Sequence, residues 1–174
     1  ICKGDGYVDI PPICDKEMDY TSKLDFELKS AQIGDSEMQH LDYAYASSLI
    51  RSFLQDDSLV LSIRGRKYTP KFEFSTNLYK NISVVSVQTE VDSGFEGRSK
   101  IVLVEAKNSH TTNVIIRQLY YPMRQWQIHT QKEVVTLFFE KRGAEFLLWE
   151  FDFKNILDYN SIFLKQSAKF KILN

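Results

Sequence analysis

Cysteine is scarce in this chain. Cys2 and Cys14 are the only two in 174 residues, too few for a disulfide framework or a four-ligand zinc site. Histidine is almost as rare, and His40, His110 and His129 lack the close spacing of paired metal ligands. No stretch approaches the roughly 18 apolar residues of a bilayer-spanning helix, so no membrane partner is expected and a reducing cytoplasm is the default. Isoleucine rather than methionine stands first, and Ile1 to Pro12 lack the apolar run of a signal peptide. That start is expected to mark a fragment or a cleaved chain. Repeats, low-complexity tracts and internal linkers are missing too. A hydrophobic content of 43% is enough for one core and the length is short for two. One domain is expected over 35–174, with 1–34 an N-terminal extension that could be the end of a missing upstream region.

A charge excess is also lacking, since the formal net charge is −1, but the mean hides an asymmetry. Residues 1–57 carry 5 Lys and Arg against 12 Asp and Glu, while 58–174 carry 17 against 11, balances of −7 and +6. A positive surround with a few carboxylates in it suits a phosphodiesterase, where basic groups hold phosphates and acids hold metal. The plainer reading is ordinary surface variation.

What is present is a helical pattern followed by strands. Asp35 to Leu54 places Met38, Leu41, Tyr45, Leu49, Ile50, Phe53 and Leu54 near the spacings of one helical face. Asp35 or Ser36 can cap it. Leu59 to Ile63, Lys71 to Phe74, Ile82 to Asp92 and Lys100 to Ala106 are short and rich in β-branched or aromatic residues, with turn formers between them. Thr112 to Ile128 reads as a second helix that Pro122 should kink or end. Val134 to Phe139 and Phe146 to Phe153 are strands joined by a turn at 141–143, and a further strand is expected at Leu24 to Leu28. The order predicts an α/β fold, a mixed β-sheet flanked by helices.

Chemistry concentrates at two strand ends. In Val84-to-Asp92, alternation puts Val85, Val87, Thr89 and Val91 on one face and Ser86, Gln88, Glu90 and Asp92 on the other. After a loop containing Gly94 and Gly97, the strand Lys-Ile-Val-Leu-Val ends in Glu105-Ala106-Lys107. Adjacent carboxylates repel each other, and a divalent cation removes that cost. Oxygen ligands favour Mg²⁺ or Mn²⁺. The ammonium of Lys107 can steady an attacking water or the charge developing on a phosphate. A register that brings Asp92 to Glu105 is required. A second acid-x-lysine triplet, Glu27-Leu28-Lys29 after Asp25, lacks the unbroken apolar run of a central strand and is set aside.

At these residues the chain resembles the PD-(D/E)XK nuclease superfamily, where an acid on one strand precedes an acid-x-lysine triplet on the next. Asp92 and Glu105-Ala106-Lys107 fit that pattern, though Val91 stands where the motif has proline. The wording QTEVDSGFEG, IVLVEAKN and IRQLYYPMRQW is similar to type II restriction endonucleases and their relatives. The resemblance implies a restriction-endonuclease-like core in αβββαβ order over about residues 34–165, metal ligation by Asp92 and Glu105, and a catalytic Lys107. It also implies Mg²⁺-dependent cleavage of double-stranded DNA and a homodimer. A repair nuclease or junction resolvase shares the core; a non-catalytic DNA-binding domain of the same shape is the alternative from another class.

The resemblance adds Glu37, since many such nucleases carry an extra acid on the opening helix; a first-turn acid is otherwise simply favoured by the helix dipole. It also adds Gln118 with Tyr121, because RecB-like members place a glutamine and a nearby tyrosine on the following helix. Glu90 is an auxiliary ligand or base, or a solvated neighbour. Arg64, Arg66 and Lys67, read as a Gly-containing turn, suit phosphate contacts, as do Arg117 and Arg124 around the aromatic residues Tyr120, Tyr121 and Trp126. Lys165, Lys169 and Lys171 are a phosphate stripe or solvated strand positions.

Overall fold

The computed structural model describes residues 6–108 and 110–173, so Cys2 and the first part of the Ile1-to-Pro12 reading lie outside them. Two short strands, β1 (Tyr7–Asp9) and β2 (Met18–Thr21), precede a 3₁₀ turn at Lys29–Gln32. Then come α1 (Glu37–Ala46), α2 (Leu49–Leu54), β3 (Val60–Tyr68), β4 (Phe72–Phe74), β5 (Ile82–Val84), β6 (Gln88–Glu96) and β7 (Lys100–Lys107). The remainder is β8 (Asn113–Ile115), α3 (Ile116–Gln127), β9 (Glu133–Arg142), β10 (Glu145–Phe153) and β11 (Ile162–Leu173). Seven strands form a mixed sheet in the order β2-β11-β10-β9-β7-β6-β3, and β1 with β8 and β4 with β5 make two small ribbons.

The strand period of two divides the apolar residues between two layers. Val102, Val104 and Ala106 of β7, Val135, Leu137 and Phe139 of β9, and Phe146 and Leu148 of β10 pack under α1 and α2 with Leu41, Ala44, Leu49, Ile50 and Phe53. Phe138, Leu147, Trp149 and Phe151 face the opposite side, against Leu119 of α3 and Ile10, Ile13 and Val114. Ile101 and Leu103 join Ile63 and Val91 there. β7 is therefore buried on both faces, as its continuous apolar run requires. Its parallel pairing with β9 needs a crossover, and α3 supplies it. The architecture is thus mixed α/β, with helices on both faces of a mixed sheet. Residues 7–21 belong to it through the β1–β8 and β2–β11 pairings and a hydrogen bond from Trp149 Nε1 to Pro11 O at 2.8 Å. No helix among the described residues is long and apolar enough to cross a membrane.

Several expected elements differ. The opening helix breaks at Ser47–Ser48, with Ser48 left-handed at φ 68°. The Ser47 hydroxyl takes the Ala44 carbonyl, and the Tyr20 hydroxyl and the Lys23 amide take the freed Ser47 carbonyl, so local and tertiary hydrogen bonds outcompete the helix. Leu24 to Leu28 is loop; its alternation had no sheet edge to meet. The strand expected from Ile82 to Asp92 divides at Ser86, whose φ of 54° turns the chain from the β4–β5 ribbon into the main sheet. The Arg64 cluster lies within β3, an edge strand, not in a turn. Pro122 does not end α3, which runs on to Gln127. Its missing N–H leaves one carbonyl a turn earlier without a helical partner, while Ile116, Leu119, Tyr120 and Met123 hold the helix through burial. The turn expected at 141–143 falls at Gly143–Ala144, because Arg142 still pairs with Glu145.

Candidate active site

A hairpin sets the site. Gly97 N–H donates to Lys100 O at 2.8 Å, leaving Arg98 and Ser99 as a two-residue loop, so β6 and β7 pair from Glu96–Ile101 to Ser93–Val104. One further step places Asp92 opposite Glu105. The ladder stops there, and the Asp92 carboxylate replaces a main-chain acceptor: Oδ2 takes the Ala106 N–H at 2.8 Å. The reason lies on the other side of β6. From Val91 to Gly94 it makes three steps while β3 makes two, from Gly65 to Ile63, an extra residue that bends the strand. Asp92 therefore sits at a bulge within β6, not at the C-terminal end expected from the sequence. Gly94 is needed beside it, since a Cβ there would stand 2.6 Å from Ile63 Cβ.

Glu105 projects from the last buried turn of β7 and is only 7% exposed. Its Oε1 accepts from Lys107 Nζ and from Gln118 Nε2, each at 2.6 Å. Lys107 also donates to Ala106 O at 3.0 Å. Burial pushes the Glu105 carboxyl up to about 7, against the pull of the Lys107 hydrogen bond, and the charges of Asp92 and Glu37 push it the same way. Burial acts to lower Lys107, but its bond to Glu105 and the charges of Glu105, Glu37 and Asp92 overcome that and raise it. Burial thus dominates at Glu105, whereas at Lys107 the surrounding carboxylates outweigh it. Glu37, in the first turn of α1 above a Ser36 cap, is thus close enough to be felt by both groups. Asn108 fixes this approach through its bond from Nδ2 to Asp35 O at 2.8 Å.

Together Asp92, Glu105, Lys107 and Gln118 line a cleft of about 360 Å³, with Gln88, Thr89, Glu90, Ile115, Arg117, Tyr121 and Pro122 around them. Among the described residues no group of three or more His, Cys, Asp or Glu side chains is placed to hold a metal. A cation that keeps most of its waters needs only one or two carboxylates plus substrate phosphate. Asp92 and Glu105 both line the cleft and are hard oxygen donors of that kind.

The supporting residues divide. Gln118 reaches Glu105. Tyr121 lines the cleft and packs edge-on against Phe72 and Phe74. Arg117 is exposed at the cleft wall, its guanidinium 5.2 Å from the Tyr121 ring. Glu90 is exposed and paired to Arg66 at 3.3 Å; no contact joins it to Glu105. Arg64 pairs with Asp42, and Lys67 lies 5.9 Å from the Trp126 ring. Arg124 corrects the sequence reading, for it is buried and its Nη1 bonds Glu73 O, Tyr120 Oη and Ile156 O at 2.8–2.9 Å. Those acceptors hold the β4–β5 ribbon and the 155–160 loop to α3, and at 9% exposure the side chain is turned inward rather than toward a phosphate. Lys165 pairs with Glu133 and Glu150. Sequence reasoning missed Glu140, fully buried beside Lys107 in the ladder and held by Arg142 Nη2 and the Thr111 N–H; as the first charge after the run Val134 to Phe139 it reads as the start of a polar turn.

The family described as Domain of unknown function (DUF6997) matches residues 2–171. No curated protein and no solved structure matches the chain.

Proposed function

Since the chain belongs to the DUF6997 family, a domain of unknown function, we propose that it is a Mg²⁺-dependent endonuclease hydrolysing double-stranded DNA on a restriction-endonuclease-like core. The observation that carries this is the meeting of Asp92, Glu105 and Lys107 across one hairpin, with Gln118 locking the shared oxygen. Asp92 and Glu105 would hold the divalent ion, Mg²⁺ or Mn²⁺. When bound, it supplies Lewis acidity to the scissile phosphate and acidifies water. Gln118 fixes the Glu105 carboxylate by donating to its Oε1. Lys107, held protonated by its carboxylate neighbours, steadies the water oxygen as it attacks phosphorus; the bond to the 3′ oxygen breaks, the water's proton passes to solvent and the departing 3′ oxygen takes a proton from solvent. Arg117 holds a neighbouring phosphate. Cutting both strands calls for two copies, so a homodimer is part of the proposal.

Conversion of supercoiled plasmid to nicked or linear DNA tests it. Wild type should cut with Mg²⁺ or Mn²⁺, stop with chelator, and lose cutting in Asp92→Asn. A folded wild-type protein that leaves plasmid, branched and nicked DNA intact with both metals refutes the reading. Preference for branched over plain duplex would move it to a resolvase.

A further inference from the structure

We propose that Arg142 is a positioning residue: by holding the buried carboxylate of Glu140, it keeps that acid from drawing the Lys107 ammonium off Glu105 and out of the cleft. The effect on cutting rests on the nuclease reading above.

Lys107 stands between two acids. Glu105 is two residues back along β7, on the same face, and takes the ammonium at 2.6 Å. Glu140 is its neighbour in the parallel β7–β9 ladder, on a strand about 4.8 Å away. An ammonium on a flexible four-carbon stem can reach either acid. The two destinations differ, because Glu105 lines the cleft, whereas Glu140 is fully buried and lies outside the lining. On its other side in the sheet Glu140 meets Leu147, so Lys107 is the charged residue among its cross-strand neighbours.

Arg142 engages Glu140 instead. It follows two residues on in β9, on the same face, and its Nη2 donates to Glu140 Oε2 at 2.5 Å, while the Thr111 N–H donates to Oε1 at 2.9 Å. Both carboxylate oxygens are thereby satisfied. A carboxylate held out of water without a cation is costly, so loss of Arg142 turns Glu140 on Lys107. The guanidinium carbon of Arg142 lies 5.8 Å from the centre of the Trp149 ring, and the group stays charged at any working pH. Its Nε is buried with no acceptor among the described residues. A buried pair with an idle donor adds little to stability; its consequence is where Lys107 is held.

The test is Arg142→Met, which keeps a long side chain against Trp149 without the charge, beside the double variant Glu140→Gln/Arg142→Met. Each is crystallised without metal and, at a temperature where both are folded, scored for plasmid cutting with Mg²⁺ and for duplex affinity by fluorescence anisotropy. In Arg142→Met, Lys107 Nζ should lie on Glu140, and cutting should fall about tenfold or more with affinity unchanged. The double variant has no buried acid to compete, so Lys107 should return to Glu105 and cutting should recover. A merely structural pair would move the melting temperature and leave Lys107 on Glu105. Lys107 still on Glu105 in folded Arg142→Met, or a double variant that cuts no better than the single one, overturns the assignment. Should Arg142→Met not fold, Arg142→Gln, which keeps a hydrogen-bond donor but not the charge, is read in the same way. If wild type cuts no DNA the nuclease reading falls, and the position of Lys107 in the crystals still decides this one.

Discussion

Two acid-x-lysine triplets in one chain make the same ion pair and have opposite electrostatics. In Glu27-Leu28-Lys29 the ammonium lies 2.5 Å from its carboxylate; in Glu105-Ala106-Lys107 it lies 2.6 Å away. The first stands in an exposed loop, where the hydrogen bonds from Lys29 and Gln32 lower the Glu27 carboxyl. The second is buried beside Asp92 and within the field of Glu37, and its carboxyl rises to about 7. The same residue pattern therefore takes opposite carboxyl shifts according to its depth and its neighbouring acids. A second acid opposite the first is what the loop triplet lacks.

The sharpest way to break that comparison is to remove each lysine. Lys107→Ala should reduce metal-dependent cleavage about a hundredfold or more, with duplex affinity nearly unchanged; Lys29→Ala should cut like wild type. Equal losses would show that neither is catalytic. The next effect concerns pH. Because the folded-state value of Glu105 lies above its ordinary 4.5, the neutral carboxyl is the form that folding favours. That contribution is fully present below pH 4.5 and is lost as pH rises through about 7, for a total of about 3 kcal/mol. Metal-free protein should accordingly show a melting temperature that falls across this window, a fall that Glu105→Gln removes and Glu27→Gln does not. Added Mn²⁺ should raise the melting temperature more at pH 8 than at pH 5. A flat or rising profile in the metal-free protein contradicts the raised carboxyl.

Burial also separates two arginines that look alike along one helix. Arg124→Ala removes the donor to Glu73 O and the link between Tyr120 and the 155–160 loop and should cost about 2–3 kcal/mol in denaturant unfolding. Arg117→Ala should leave stability within about 0.5 kcal/mol and lower the salt dependence of DNA binding by about one phosphate contact. The reverse pattern would exchange their roles.

The sequence carried the two layers well, because alternating apolar residues on β7, β9 and β10 can face only two ways. The meeting of Asp92 and Glu105 was also within reach: a two-residue turn at Arg98–Ser99 fixes the register, and four steps back from Glu96 and four on from Ile101 arrive at those acids. Gly97 marks the turn, but the apolar pattern ends the strand at Asp92, four residues short of Glu96. The bulge at Asp92 left no such trace, since it is imposed by β3 from the neighbouring edge. Arg124 was illegible for the same reason. Its acceptors Glu73 O and Ile156 O come from segments about 50 and 30 residues away, and a charged side chain on an amphipathic helix reads as solvated. The break at Ser47–Ser48 was visible as a serine pair, yet the apolar spacing ran straight through it.

The parallel contact between β2 and β11 pairs Met18 with Phe170, closing a loop that encloses nearly the whole chain. Pairings so distant along the backbone form late, whereas a hairpin closed by two residues forms among the first. The strands bearing Asp92 and Glu105 can thus be joined before the outermost strand docks, and fraying at that far edge need not loosen them.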